Sequence, residues 1–458
     1  MRYWQTVVLG LVLAGLGAYV YFIELPSHEA LEQTETRNKT LLLLKQDEIT
    51  QLTLKTDQLQ LMLVKNADNK WTITAPLRTE ADQRAVQSFI RALVTGKVMR
   101  VVEETATALA PFGLEHPVNV VTVSTGDKED TLTIGDSGPL SSTLYVLRQS
   151  DQKILLTDMA AKDFVNKSLL SFRRKDILQF SQNDIERVRL TYPTTEIVLY
   201  HINEKPKGKW KIRYPVEADA DQTEVRTLLF RLEDLKALSI IDPGPERDLV
   251  SKTLTAPKIK VTLHTSNGDQ TVKLYQPNPT SGEAIAETTG EGPLYRIAPT
   301  AIRDLTKELF AFQDKRLLGA EATDIALLSV KTRTEQYTLI NQNGEWVMED
   351  QPTEKLNQQT AELFVSRVAD VPAEERVTKQ QGALAAYGLV APAAEFVATG
   401  KDGKLAGKLS IGNQSSGLAY AMGHRLQGIF QIRADLLTQI PAKKELLDAS
   451  DGQKDKPR

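Results

Sequence analysis

Residues 71–93, WTITAPLRTEADQRAVQSFIRAL, join two kinds of periodicity across a proline and a capping acid. Trp71, Ile73 and Ala75 alternate with Thr72 and Thr74 and stop at Pro76, as in a strand with one buried face. Asp82, eleven positions after Trp71, is a side chain that accepts hydrogen bonds from the free amides of a helix start. Val86, Phe89, Ile90 and Leu93 then fall at the i, i+3, i+4, i+7 spacing of a helix buried along one face.

The pattern returns as Trp210-Lys-Ile-Arg-Tyr-Pro215 with Asp221, and as Trp346-Val-Met-Glu-Asp-Gln-Pro352 with Asn357. Gln83, Gln222 and Gln358 follow the three caps, and the later stripes are Val225, Leu228, Leu229, Leu232 and Ala361, Phe364, Val365, Val368. The intervals, 139 residues from Trp71 to Trp210 and 136 from Trp210 to Trp346, are too long for a solenoid unit and suit a small domain. They predict three tandem modules over residues 40–178, 179–318 and 319–447. Each repeated tryptophan, set in a strand before a buried helix, is expected in its module's core.

Further elements recur. Ile49, Ile185 and Ile325 lead alternating segments, and polar turns at Asp68-Asn69-Lys70 and Asn343-Gly344 join the next strand to the tryptophan strand, giving an antiparallel meander. After the helix comes a break, Phe112-Gly113-Leu114 before Pro117 and Tyr387-Gly388-Leu389 before Pro392. The second copy has Lys252-Thr253 in place of the aromatic-glycine pair, so its turn is expected to differ. More strands follow, and then a helix and an end reading Lys175-Asp-Ile-Leu178, Lys315-Arg-Leu-Leu318 or Lys444-Glu-Leu-Leu447. The class is α+β: mainly antiparallel sheets with covering helices.

Val7 to Ile23 carries no charge and, with part of Met1 to Thr6, reaches the roughly 20 residues of a bilayer-spanning helix. Residues 1–23 are therefore expected to be an uncleaved transmembrane anchor. Arg2 precedes the run and Glu24, Glu29, Glu32 and Glu35 follow it, which places the amino terminus in the cytoplasm and exports the rest. Gly10, Ala14 and Ala18 recur every four residues, a face on which another membrane helix could pack closely. Residues 24–39 read as a solvated spacer and 448–458 as a disordered charged tail.

At 458 residues, 41% hydrophobic and 25% charged, the composition is that of a globular protein. A net charge of -3 offers no electrostatic ground for binding nucleic acid. The absence of cysteine excludes disulfides, thiolate metal sites, a thiol nucleophile and a lipid-bearing cysteine.

Gly135-Asp136-Ser137-Gly138-Pro139 nearly spells the nucleophile loop of a serine protease, but only His28 and His116 precede it, in the spacer and the break. A polar turn after a strand accounts for it, as for Gly412-Asn413-Gln414-Ser415. Glu217, Asp219 and Asp221 alternate like calcium ligands, yet Gln222 and Leu228 stand where the loop needs glycine and an acid. His201, His264 and His424 show no metal spacing, and Lys205, Lys207, Lys209 and Lys211 read as a solvated turn. No catalytic, cofactor-binding or metal residues are expected, and the protein reads as non-enzymatic.

The tryptophan strand, the capped helix, the aromatic-Gly-Leu break, the strand ends Ile134-Gly135 and Ile411-Gly412, and the strand tyrosines Tyr145 and Tyr420 together resemble the bacterial domain-of-unknown-function family 4340, in three copies over about residues 40–447. The resemblance implies a single-span inner-membrane protein with a periplasmic body, serving as scaffold or accessory subunit of an ABC-type transporter of the gliding-motility kind. The alternative is a periplasmic module that binds lipid or cell-wall glycan. An unrecognised hydrolase is the third reading.

Overall fold

Alternation along residues 51–75 builds one wall of the first core. Leu52 and Leu54 of β1 (Gln51–Lys55), Leu61 and Leu63 of β2 (Gln60–Lys65), and Trp71 and Ile73 of β3 (Trp71–Ala75) are all buried on one face. The computed structural model of the protein describes residues 13, 16, 38–57, 59–140, 142–158, 167–202, 208–276, 282–378 and 384–447.

After β4 (Thr79–Glu80), α1 (Gln83–Thr95) turns Val86, Phe89, Ile90 and Leu93 into the same core as these strands. Burying each such side chain contributes roughly 1.5–3 kcal/mol. The chain continues through β5 (Val98–Glu103), β6 (Asn119–Ser124), β7 (Glu129–Ser137), β8 (Thr143–Arg148) and β9 (Lys153–Asp158). The strand order is β4-β3-β2-β1-β6-β7-β8-β9-β5, so both sets of strands lie in one sheet and meet at the antiparallel pair β1–β6. α1 thus links strands at opposite edges, β4 and β5.

A second nine-stranded sheet follows the same order strand for strand. A third has the same order with eight strands and has no counterpart of β4 among the described residues. Their helices are α2 (Gln222–Glu233) and α3 (Gln358–Ala369). The class is α+β, with mainly antiparallel sheets. The edge strands β5, Ser239–Ile241 and Glu375–Thr378, between helix and break, are an addition to the sequence reading.

Contacts divide the chain into two compact units: residues 1–179, 233–256 and 272–301, and residues 180–232, 257–271 and 302–458. The first unit holds the β1–β9 core and a small cluster of Ile241, Tyr275, Ile285 and Leu294. The second holds α2 with its buried Val225, Leu228, Leu229 and Leu232, and the core of the third sheet around Trp346, Phe364, Phe396 and Phe430.

The expected anchor, with its face of Gly10, Ala14 and Ala18, lies outside the described residues apart from Leu13 and Leu16, as do most of the spacer and the tail 448–458. Among the described residues no helix is long and apolar enough to cross a membrane.

Candidate functional site

Each tryptophan strand is tied to its helix by the glutamine that follows the cap. The Gln83 side chain accepts from the Trp71 amide at 2.8 Å and donates to the Trp71 carbonyl at 2.9 Å. Gln222 does the same for Trp210 (2.8 and 2.9 Å), and Gln358 for Trp346 (2.7 and 2.8 Å). The caps beside them accept helix-start amides: Asp82 from Ala85, Asp221 from Thr223 and Glu224, and Asn357 from Thr360. Pro76 and Pro215 end their strands in cis peptide bonds, and Pro352 follows the bridge residue Gln351.

The serine-protease-like stretch has a structural task. Gly113 (φ +67°) and Gly388 (φ +69°) turn directly over Asp136 and Asn413, and a Cβ on Gly135 or Gly412 would lie 2.1 Å from the Phe112 or Tyr387 carbonyl oxygen. The glycine-polar pair is thus the seat of the break, beside the ring pairs Phe112–Tyr145 and Tyr387–Tyr420, each 4.9 Å apart. In the second copy a helical segment, Pro245–Ser251, stands ahead of Lys252.

The three tryptophans differ in exposure. Trp71 and Trp346 are each 3% exposed, whereas Trp210 is only half-buried, with the His201 ring 5.1 Å from its own. Core packing therefore describes two of the three. Trp210 borders a cleft of about 810 Å³ in the second unit, walled by the starts of its strand and of α2, by residues 314–316, by Glu321 and by residues 372–374. A smaller cavity of about 410 Å³ adjoins Trp71 in the first unit, where the Lys65 ammonium lies 5.7 Å from the indole centre.

Much of the charge in the large cleft is paired within the protein. Arg316 makes hydrogen bonds to Asp314 and to Glu321, and Arg425 reaches both Asp314 and Asp219. Burial pushes the Asp314 carboxyl up, but the Arg316 hydrogen bonds and the charges of Arg425 and Arg316 outweigh it and hold it below the usual carboxylate range. Hydrogen bonding from Arg316 likewise holds Glu321 low, and the two acids in turn raise Arg316. Asp221 faces Lys315 at 3.4 Å and Asp219 faces Lys211 at 3.8 Å. Two of the three acids of the calcium-like triplet, Asp219 and Asp221, thus have protein partners, and among the described residues no cluster of acids and histidines could hold a metal ion.

Arg376, near this site, lay beyond sequence reading, and His264, which showed no metal spacing, proves to be half-buried. The Arg376 guanidinium sits 4.9 Å from the Phe310 ring centre and 5.4 Å from that of Phe430, and bonds Gln313 at 3.0 Å. Burial lowers its pKa. His264 pairs with Asp269 at 2.7 Å, with its Nε2 buried and without a hydrogen-bond partner among the described residues. Lys205 and Lys207 lie outside the described residues.

The family model of the domain of unknown function DUF4340 matches the chain twice, over residues 71–257 and 210–375. The chain belongs to this family. Both DUF4340 matches open on a signature tryptophan, Trp71 and Trp210, and each runs on through the capped helix. The second extends past Trp346 and α3 to Glu375, so every residue lining the cleft beside Trp210 falls within a DUF4340 match, Lys209 in the first and the rest in the second. No curated protein and no solved structure matches the chain.

Proposed function

We propose that the protein is a non-enzymatic, single-span inner-membrane protein whose periplasmic body of three tandem DUF4340 modules, residues 40–178, 179–318 and 319–447, acts as a scaffold or accessory subunit, with an ABC-type transporter as its partner. The carrying observation is the uncharged run Val7 to Ile23, preceded by Arg2 and followed by four glutamates before Arg37. The signature at Trp71, Trp210 and Trp346 supports the three-module reading, and the choice of partner is what the resemblance to the family implies.

Reporter fusions at Arg458 test the topology. Phosphatase active outside the cytoplasm is the expected result, and activity confined to the cytoplasm overturns the reading. Quantitative co-purification in mild detergent tests the partner. A transporter permease should be recovered with the parent protein and with Leu13→Ala, and recovered less with Ala14→Leu, whose added bulk blocks the small-residue face. No membrane protein recovered with the parent would leave the scaffold reading without support.

A further inference from the structure

We propose that the cleft beside Trp210 binds a neutral oligosaccharide. The site goes beyond the scaffold reading, does not depend on a transporter partner, and gives the glycan alternative a location.

Three features select this chemistry. The first is Trp210, which alone among the signature tryptophans is half-exposed and borders the cleft. An indole offers an apolar surface with a single polar handle, which suits the mixed C–H and hydroxyl surface of a sugar ring. The second is the state of the charges. Asp314, Glu321, Asp219 and Asp221 are each matched by Arg316, Arg425, Lys211 or Lys315, so an ionic ligand that engages these groups would have to break existing pairs to gain new ones.

A paired carboxylate still keeps lone pairs, and a paired guanidinium or ammonium keeps N–H groups, beyond those its partner uses. Hydroxyls both donate and accept, so a polyol can use both kinds of group without displacing a charge. Glu374, exposed at the cleft, adds a further acceptor. The third feature is size and polarity. A cleft of about 810 Å³ lies within the range of small-molecule sites, roughly 300–1,000 Å³, while its charged lining is unsuited to an acyl chain.

Two sources share this chemistry, a free glycan strand and a sugar headgroup on a lipid. The full chain, held in a detergent without a sugar headgroup, is titrated with oligomers of N-acetylglucosamine and of glucose, and separately with phosphatidylcholine vesicles with and without a diglycosyl lipid. Calorimetry and tryptophan fluorescence follow binding. Saturable binding to either sugar source is expected, and which source binds tells the two apart.

Because the ligand is neutral, affinity should change little between about 0.1 M and 1 M salt, where the Debye length falls from roughly 10 to 3 Å. Trp210→Phe should weaken binding by about tenfold, or roughly 1.4 kcal/mol. Glu374→Gln, at an exposed position, should weaken it by about threefold with an unchanged melting curve, which keeps the test valid if the tryptophan variant misfolds. The proposal is overturned if folded protein binds neither sugar source, if neither variant alters binding, or if oligolysine or inorganic phosphate binds in preference and is lost at high salt.

Discussion

At residues 173–178 and again at 313–318 the chain makes the same backbone contacts with its charges rearranged. Arg174 donates its amide to Glu80, Ala237 donates to the Lys175 carbonyl and Ile177 donates to Leu235; Asp314, Ala373 and Leu317 repeat these bonds to Asp219, Lys315 and Val371. In the first junction Arg174 binds Glu80 and Asp176 directly. In the second the order is reversed, Asp314 before Arg316, so two acids, Asp314 and Asp219, come together and Arg425 joins them. A second exchange runs beside it. Arg173 forms a bidentate pair with Asp242 (2.8 and 2.6 Å), whereas Gln313 at the corresponding place accepts from Arg376.

Backbone hydrogen bonding thus sets the junction, and charge can be redistributed provided that every buried group keeps a partner. The price of the second arrangement is dependence on a residue from a distant strand turn. The Arg425–Asp314 pair is also better shielded than the Arg174–Glu80 pair, with side chains 17% and 10% exposed against 37% and 64%.

Acid should separate the junctions most. Asp314 and Glu321 have folded-state pKa values below the ordinary range, so their stabilisation is complete above about pH 4, the unfolded value, and is lost as pH falls through the lower folded values. Protection of the Ala373 and Leu317 amides in hydrogen exchange should fall in that window, and Arg316→Gln should remove much of the dependence. Unaltered protection down to about pH 2 would count against the pairing as a source of stability.

Arg425→Ala comes next. It leaves Asp219 facing Asp314, with a loss of about 2 kcal/mol local to the second junction and the Ala237 and Ile177 amides unaffected. If both junctions loosen equally, the clasp is not local. Asp221→Ala should cost about 1 kcal/mol for the cap, as should Asp82→Ala and Asn357→Ala, and because Asp221 also meets Lys315 its loss should exceed that of Asp82. Thermal melts rank the three, and equal losses would remove Lys315 from the account. The smallest effect belongs to Arg174→Ala, under about 1 kcal/mol, since its partners are solvated. A loss matching that of Arg425→Ala in the same denaturant series would erase the distinction between the junctions.

Most of the first sheet was legible in the sequence because its code is local: alternation marks β1 to β3, Asp82 marks the start of α1, and Val86 to Leu93 mark its buried face. The same holds for the break, whose Gly113 and Gly388 stand in left-handed backbone beside an aromatic residue. The edge strands were missed because Val98–Glu103 and Glu375–Thr378 mix apolar and charged residues, and their pairing with distant strands, not periodicity, makes them strands. The glutamines after the caps were visible, but nothing local says that their side chains close on the tryptophan backbone twelve residues earlier.

The sequence alone determined the signature, its spacing, the helix caps and the α+β class, since each rests on contacts within a turn of helix or a run of strand. Tertiary structure decided the strand order that unites both strand sets in one sheet, the exposure of Trp210, and the clasp of Arg425 on Asp219, 206 residues away. No periodicity connects such residues. Burial and charge pairing between distant segments are settled only when the backbone has already brought them together.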